Sequence, residues 1–173
     1  MRPMVQFAKE KYGHAALIVA EVGVQRGYNA KQILKNFNIT NLALVDIWDS
    51  NITNPRRKGK QVPVDNPGDE IHFPKMMELV GNEPNTTVHR MLSKEACMLY
   101  PDEHFDFIYI DASHAYQNVK DDCAWWYPKV KTGGVIGGHD YFYFVGCKQA
   151  VDEFITENRL QLQTKEPDWW IVK

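Results

Sequence analysis

The sequence predicts a doubly wound α/β domain: an open, mostly parallel sheet with helices on both faces. Three observations carry that prediction. Short apolar runs alternate five times with segments of helical period. The first run ends in a glycine turn and the second in an aspartate. The last two runs lie too close together for a crossover helix, so one of them runs antiparallel in a terminal hairpin. A chain of 173 residues suits a single domain, here residues 1–173, with one substantial core.

Each element has its own signal. Ala15-Ala16-Leu17-Ile18-Val19-Ala20 is continuously apolar, as a strand buried on both faces must be. After the Gly23–Gly27 turn, Ala30, Ile33, Leu34 and Phe37 recur at i, i+3, i+4, i+7 and predict a helix. Leu42–Val45 forms the second strand and ends at Asp46. Residues 49–72 hold Asn, Pro, Gly and charge without an apolar period, which is the composition of a long functional loop, read here as a lid. Its basic run, Arg56-Arg57-Lys58-Gly59-Lys60, reads as solvated surface; on a lid it would favour an anionic acceptor. Phe73–Val80 reads as a short helix with Pro74 near its first turn.

Thr86-Thr87-Val88 is the third strand, and Ser93 opens the next helix as its cap. Phe105–Ile110 is β-branched and aromatic, a fourth strand ending at Asp111. Tyr116, Val119, Cys123, Trp126, Tyr127 and Val130 mark a helical stripe that Gly133-Gly134 stops. Val135–Gly138 leads a fifth strand into His139-Asp140, and Val151, Phe154 and Ile155 mark the last helix. Leu160–Gln163 and Trp169–Val172 close the chain as the hairpin.

Composition narrows the function classes. Hydrophobic residues at 44% and charged residues at 24% are ordinary for a soluble domain. A formal charge of −2 gives no pull toward nucleic acid or an anionic membrane. Cys97, Cys123 and Cys147 have no metal spacing and read as free buried thiols. Met1-Arg2-Pro3-Met4 lacks the apolar core of a signal peptide, and no run approaches the ~18 apolar residues of a membrane span, so a cytoplasmic location is expected.

The turn after the first strand reads Glu21-Val22-Gly23-Val24-Gln25-Arg26-Gly27. Its spacing is G-x-x-x-G and not G-x-G-x-x-G, and an acid precedes it. A carboxylate there would repel a pyrophosphate, which argues against an NAD-dependent oxidoreductase. Glu21 suits a cationic ligand, one that carries an α-amino group and a sulfonium. Asp46, at the end of the second strand, stands where a carboxylate accepts both hydroxyls of a ribose. The bland alternative has the glycines shaping a tight turn and Asp46 capping a helix. Trp48 either stacks on the adenine or lines the pocket, whereas Trp126, Trp169 and Trp170 read as core.

Two further segments are Tyr109-Ile-Asp111-Ala-Ser-His114-Ala-Tyr116-Gln-Asn-Val-Lys-Asp121 and Gly133-Gly134-Val-Ile-Gly-Gly-His139-Asp140-Tyr141. Together they resemble a group of class I S-adenosylmethionine-dependent methyltransferases, the group of macrocin-type sugar O-methyltransferases and cephalosporin-hydroxylase-like proteins. The resemblance implies a Rossmann-like seven-stranded sheet with an antiparallel C-terminal strand. It implies that Glu21, Gly23 and Gly27 hold the methionine part of S-adenosylmethionine while Asp46 takes the ribose. Met91, Leu92 and Ser93 would lie beside the adenine, and Asp111 would face the methyl-transfer site.

Methyl transfer requires alignment of the acceptor and removal of its proton. His114, three residues after Asp111, is a candidate base, or else caps the following helix. Asp111, His139 and Asp140 end adjacent strands and can converge on a divalent cation. Metal-dependent relatives use Mg²⁺ at such positions, while the histidine here suits Mn²⁺, Fe²⁺ or Zn²⁺ better. The expected activity is O-methylation of a small hydroxylated acceptor, a sugar or natural-product-like compound. Its pocket would be left open or completed by a second copy in a homodimer. An S-adenosylmethionine-binding accessory protein without methyl transfer is the alternative.

Overall fold

A computed structural model describes residues 1–48 and 68–173. The lid expectation for 49–67 therefore lies outside the described residues. The elements run α1 (Pro3–Tyr12), β1 (Ala16–Val22), α2 (Tyr28–Asn36), β2 (Asn38–Asp46), α3 (Gly68–Met76), a π turn (Met77–Gly81), β3 (Thr86–Arg90), α4 (Ser93–Cys97), β4 (Phe105–Ile110), α5 (Tyr116–Trp126), β5 (Val130–Gly138), α6 (Val145–Asn158), β6 (Gln163–Lys165) and β7 (Asp168–Val172). The seven strands form one sheet in the order β3-β2-β1-β4-β5-β7-β6. Strands β1 to β5 pair in parallel. Strand β7 inserts antiparallel between β5 and β6, because the Lys165–Asp168 turn is too short to carry it across the sheet. The direction of the sheet's growth reverses between β1 and β4, which places a ligand crevice at their carboxyl ends.

Alternate residues along each strand feed two cores. Val19, Leu42, Leu44, Phe107 and Tyr109 pack beneath α1, α2 and α3. Ala20, Ala43, Val45, Ile108 and Ile110 pack beneath α4, α5 and α6, with Val119, Cys123, Trp126 and Val151. Trp169 and Trp170 fall on opposite sides and are both buried, as the sequence predicts. The three cysteines are free and buried.

Five boundaries differ from the sequence expectation. Strand β6 is Gln163–Lys165, so of the expected Leu160–Gln163 strand only Gln163 belongs to it. The segment 68–72 is the start of α3 and not loop, so Pro74 lies inside a helix; the chain beyond it widens into the π turn at Met77–Gly81. The α5 helix stops at Trp126, with Tyr127 still helical in its backbone as the cap, because Pro128 has no N–H to continue the ladder. Val130, Gly133 and Gly134 accordingly belong to β5 and do not end the helix. Ser93 does not cap α4: it is the first helical residue, and its hydroxyl donates to Asp122 Oδ1 at 2.5 Å.

The sequence reading passed over α1. Pro3 fixes its first turn, and Met4, Val5 and Ala8 bury its inner face. Its anchor is Asp168, fully buried, which accepts from the Met4 backbone N–H (2.9 Å) and from the Tyr109 hydroxyl (2.8 Å). Removing that carboxylate strands two buried donors. Asp168→Ala should therefore cost roughly 2–4 kcal/mol of unfolding free energy and raise amide hydrogen exchange across residues 3–12. Unchanged protection there would show that α1 is held by packing alone.

Candidate active site

The crevice is built first from the end of β1. Glu21 is buried, with 1% of its surface exposed. Its Oε1 accepts from Asn29 Nδ2 at 3.1 Å. Glu21 Oε2 and Asn29 Oδ1 have no hydrogen-bond partner among the described residues. Burial pushes the Glu21 carboxyl up to about 8, against the opposing pull of Asn29 and of the Arg2 charge. Two buried acceptors without donors form a site that an ammonium group, with three N–H bonds, satisfies. Asn29 escaped the sequence reading; its one signal is a short amide in the first turn of the helix behind the glycine loop.

The loop itself is fixed by sterics. Gly23 has φ of 87°, and a Cβ there would overlap the Asp111 carbonyl, so only glycine lets β1 turn against β4. Gly27, at φ 78°, opens α2, and a Cβ would come within 2.8 Å of Val80 Cγ2. Asp46 accepts from the backbone N–H groups of Val24 (2.9 Å) and Gln25 (2.8 Å) on Oδ2, and from Trp48 N (3.1 Å) on Oδ1. It shapes the loop while retaining lone pairs on Oδ1.

Trp48 is buried and donates from Nε1 to the Gln25 carbonyl at 2.8 Å. Its ring packs on Phe73, so it braces the loop from behind. Just past the end of β3, Met91 is partly buried against the core and Leu92 is half-exposed. The Ser93 hydroxyl is turned away toward α5, donating to Asp122 and accepting from Trp126 Nε1 at 2.8 Å. Asp122 is buried, and burial pushes its carboxyl up to about 7 despite the Ser93 hydrogen bond.

The ends of β4 and β5 supply the second half. Asp111 donates its backbone N–H to the Val22 carbonyl (2.7 Å), which carries its side chain to the crevice. Its Oδ2 accepts from Arg2 Nη1 at 2.8 Å, while Oδ1 lies 3.8 Å from His114 Nε2 and 3.9 Å from His139 Nδ1. Asp140, in the left-handed region at φ 67°, meets His114 Nε2 with Oδ2. Its Oδ1 lies 2.8 Å from His139 Nδ1. That approach is poorly directed, so the buried His139 Nδ1 has no hydrogen-bond partner among the described residues. Burial alone would raise the Asp140 carboxyl, but His114 and His139 hold it well below the usual carboxylate range. The His114 ring also rests on Phe144, with centroids 4.4 Å apart.

One ligand atom from each of Asp111, His139 and Asp140 lies within 4.8 Å of the others. The structure thus brings Glu21, Gly23, Gly27 and Asp46 to one side of the switch point. On the other it gathers Asp111, His114, His139 and Asp140. Arg2, which joins the second group, was not legible, since its partners stand more than a hundred residues away in the chain.

An open sheet with this order, an acid and a glycine turn after β1, and a second acid ending β2 defines a Rossmann-like domain for a nucleoside-bearing cofactor. A family model described as a methyltransferase domain matches residues 20–141. The chain belongs to that family and is an S-adenosylmethionine-dependent methyltransferase. No curated protein matches it. Among solved structures it is similar to the O-methyltransferase NovP, with a TM-score of 0.65 and 16% identity over 98% of this chain and 77% of that one. It is similar also to a Bacillus cereus O-methyltransferase in complex with SAH, with a TM-score of 0.62 and 15% identity over 100% and 82% of the two chains. CalS11, a calicheamicin methyltransferase, matches with a TM-score of 0.65 and 11% identity over 97% and 75%.

The Glu21 carboxyl has a stability consequence. Its ordinary value of 4.5 rises to about 8 in the folded chain. The folded state therefore holds this proton more tightly, and wild-type stability declines as pH rises from 4.5 to 8. Glu21→Gln removes that decline. Its melting temperature should gain on wild type steadily between pH 5 and 8 and level off above; parallel curves in ligand-free thermal melts would refute the buried, protonated Glu21.

Proposed function

We propose that the protein transfers the methyl group of S-adenosylmethionine to a hydroxyl of a small acceptor, sugar or natural-product-like. The observation that carries this reading is the convergence of Asp111, His114 and Asp140 at the ends of β4 and β5, beside the Gly23 turn. In this reading Glu21, Gly23 and Gly27 hold the methionine part. Asp46 takes the ribose on the lone pairs its loop contacts leave over. Met91, Leu92 and the Ser93 backbone border the adenine, and Trp48 acts through the loop it braces.

His114 is the base. A carboxylate on Nε2 fixes the ring's tautomer and orientation, and the proton of an acceptor hydroxyl passes to the imidazole. The transfer is an in-line displacement on the sulfonium, and the protein's task is to hold the oxygen on that line.

Asp111, His139 and Asp140 also fit a divalent cation. The unpartnered His139 Nδ1 and one oxygen from each carboxylate form an N,O,O donor set. That set suits Mn²⁺ better than Mg²⁺. Such an ion would lower the pKa of an acceptor hydroxyl. We assign the protein to the cytoplasm and propose a homodimer closing the acceptor pocket. The exposed Phe142, Tyr143 and Val145 beyond Asp140 offer apolar surface for that contact.

Two substitutions test the core of this assignment. Asp46→Ala should weaken S-adenosylhomocysteine binding roughly tenfold or more, read by calorimetry; full affinity removes Asp46 from the ribose site. His114→Ala should slow turnover by about 10²–10⁴-fold and leave the affinity for S-adenosylhomocysteine intact. A fully active His114→Ala enzyme would sink the base.

A further inference from the structure

Arg2 uses two of its five N–H donors in the contacts described so far. One nitrogen, Nη1, donates to both the Tyr109 hydroxyl (2.9 Å) and Asp111 Oδ2 (2.8 Å). The guanidinium lies over the Tyr109 ring, 5.2 Å from its centroid. Its other edge, Nε and Nη2, has no hydrogen-bond partner among the described residues, and the side chain is 31% exposed. An Nε–Nη2 edge is a planar fork that matches the two oxygens of a carboxylate.

The position of that fork is set by the sheet. Tyr109 is the register partner of Glu21 across β4 and β1, strands about 4.8 Å apart. Both side chains fall on the face that carries α1 and α2, since Val19 and Phe107, two residues earlier on each strand, pack there. Arg2, bonded to the Tyr109 hydroxyl, thus shares this face of the sheet with the unpartnered Glu21 Oε2 and Asn29 Oδ1, and its charge acts on the Glu21 carboxyl. Two acceptors needing an N–H donor lie on one side and a donor pair suited to an anion on the other. That is the complement of an α-amino acid zwitterion, whose ammonium and carboxylate share one carbon. The fork is also pre-organised: Asp168 holds both the Tyr109 hydroxyl and the Met4 backbone N–H that follows Arg2 in α1.

We propose that Arg2 receives the α-carboxylate of the cofactor's amino-acid end on its Nε–Nη2 edge, while the Glu21–Asn29 pair receives the ammonium. The inference rests on the cofactor reading above and adds a residue for each end of the zwitterion. It gives the N-terminal helix a part in ligand binding that lies outside the matched family segment, residues 20–141. Asp111 then serves two neighbours, holding Arg2 with Oδ2 and turning Oδ1 toward the histidines.

Calorimetry on the full chain tests this with two ligands, S-adenosylhomocysteine and its decarboxylated counterpart, which keeps the nucleoside and the amine. Wild type should bind the complete ligand about 10- to 150-fold more tightly, the range of a charge-assisted pair. Arg2→Gln should lose that advantage and leave the decarboxylated ligand's affinity unchanged, with Arg2→Lys between the two. Equal weakening of both ligands by Arg2→Gln would mean that Arg2 only supports Asp111, and it overturns the proposal. Equal binding of both ligands by the wild-type protein overturns it without reference to any variant. If wild type binds neither ligand, the cofactor reading itself fails along with the Arg2 assignment.

Discussion

The contact on which the rest of the site depends is the backbone junction of β1 and β4 at the switch point. The Val22 carbonyl accepts from Asp111 N–H at 2.7 Å, and Gly23 turns directly against the Asp111 carbonyl. A side chain at position 23 would push the strands' ends apart. With glycine there, the end of one strand presents Glu21 and the loop, and the end of its neighbour presents Asp111. In the proposed reading, cofactor and acceptor are thereby held to adjacent strands of a rigid sheet, which is the support that aligned displacement requires.

Around that junction the site is a problem in charge. Glu21, Asp46, Asp111 and Asp140 gather near the carboxyl ends of four neighbouring strands, β1, β2, β4 and β5. Each is managed differently. Backbone amides of the glycine loop surround Asp46. Asp111 shares Arg2, and Asp140 is matched by two histidines. Glu21 alone is left buried beside an uncharged amide, and burial favours its protonated form. In the proposed reading, a ligand that brings its own positive charge relieves this acid, which concentrates binding energy at the cofactor's amino group.

Much of this was legible because it is local. Apolar runs gave six of the strands close to their observed places, and the Glu21–Gly27 turn and Asp46 follow from strand-end position alone. The errors have local causes as well. Val130 continued the helical stripe of α5 by spacing, but Pro128 had already ended it. Ser93 has the chemistry of a cap, yet a buried carboxylate on α5 outcompetes the helix's own backbone for its hydroxyl. The α1 helix, short and only weakly amphipathic, gave little period to read.

By itself the sequence determined which residues end the strands, and hence that an acid, a glycine turn, a second acid and the Asp111 and His139-Asp140 segments would share one edge of a sheet. Period and turn chemistry are properties of neighbours in the chain, so they survive without coordinates. Only the tertiary structure decided what those residues touch. It set His114 on Asp140, closed Asp46 onto its own loop, buried Trp48 behind Phe73 and brought Arg2 to Asp111. These are contacts between segments far apart in sequence, and they are fixed by strand order and by the folding of α1 back onto the sheet, neither of which any local pattern records.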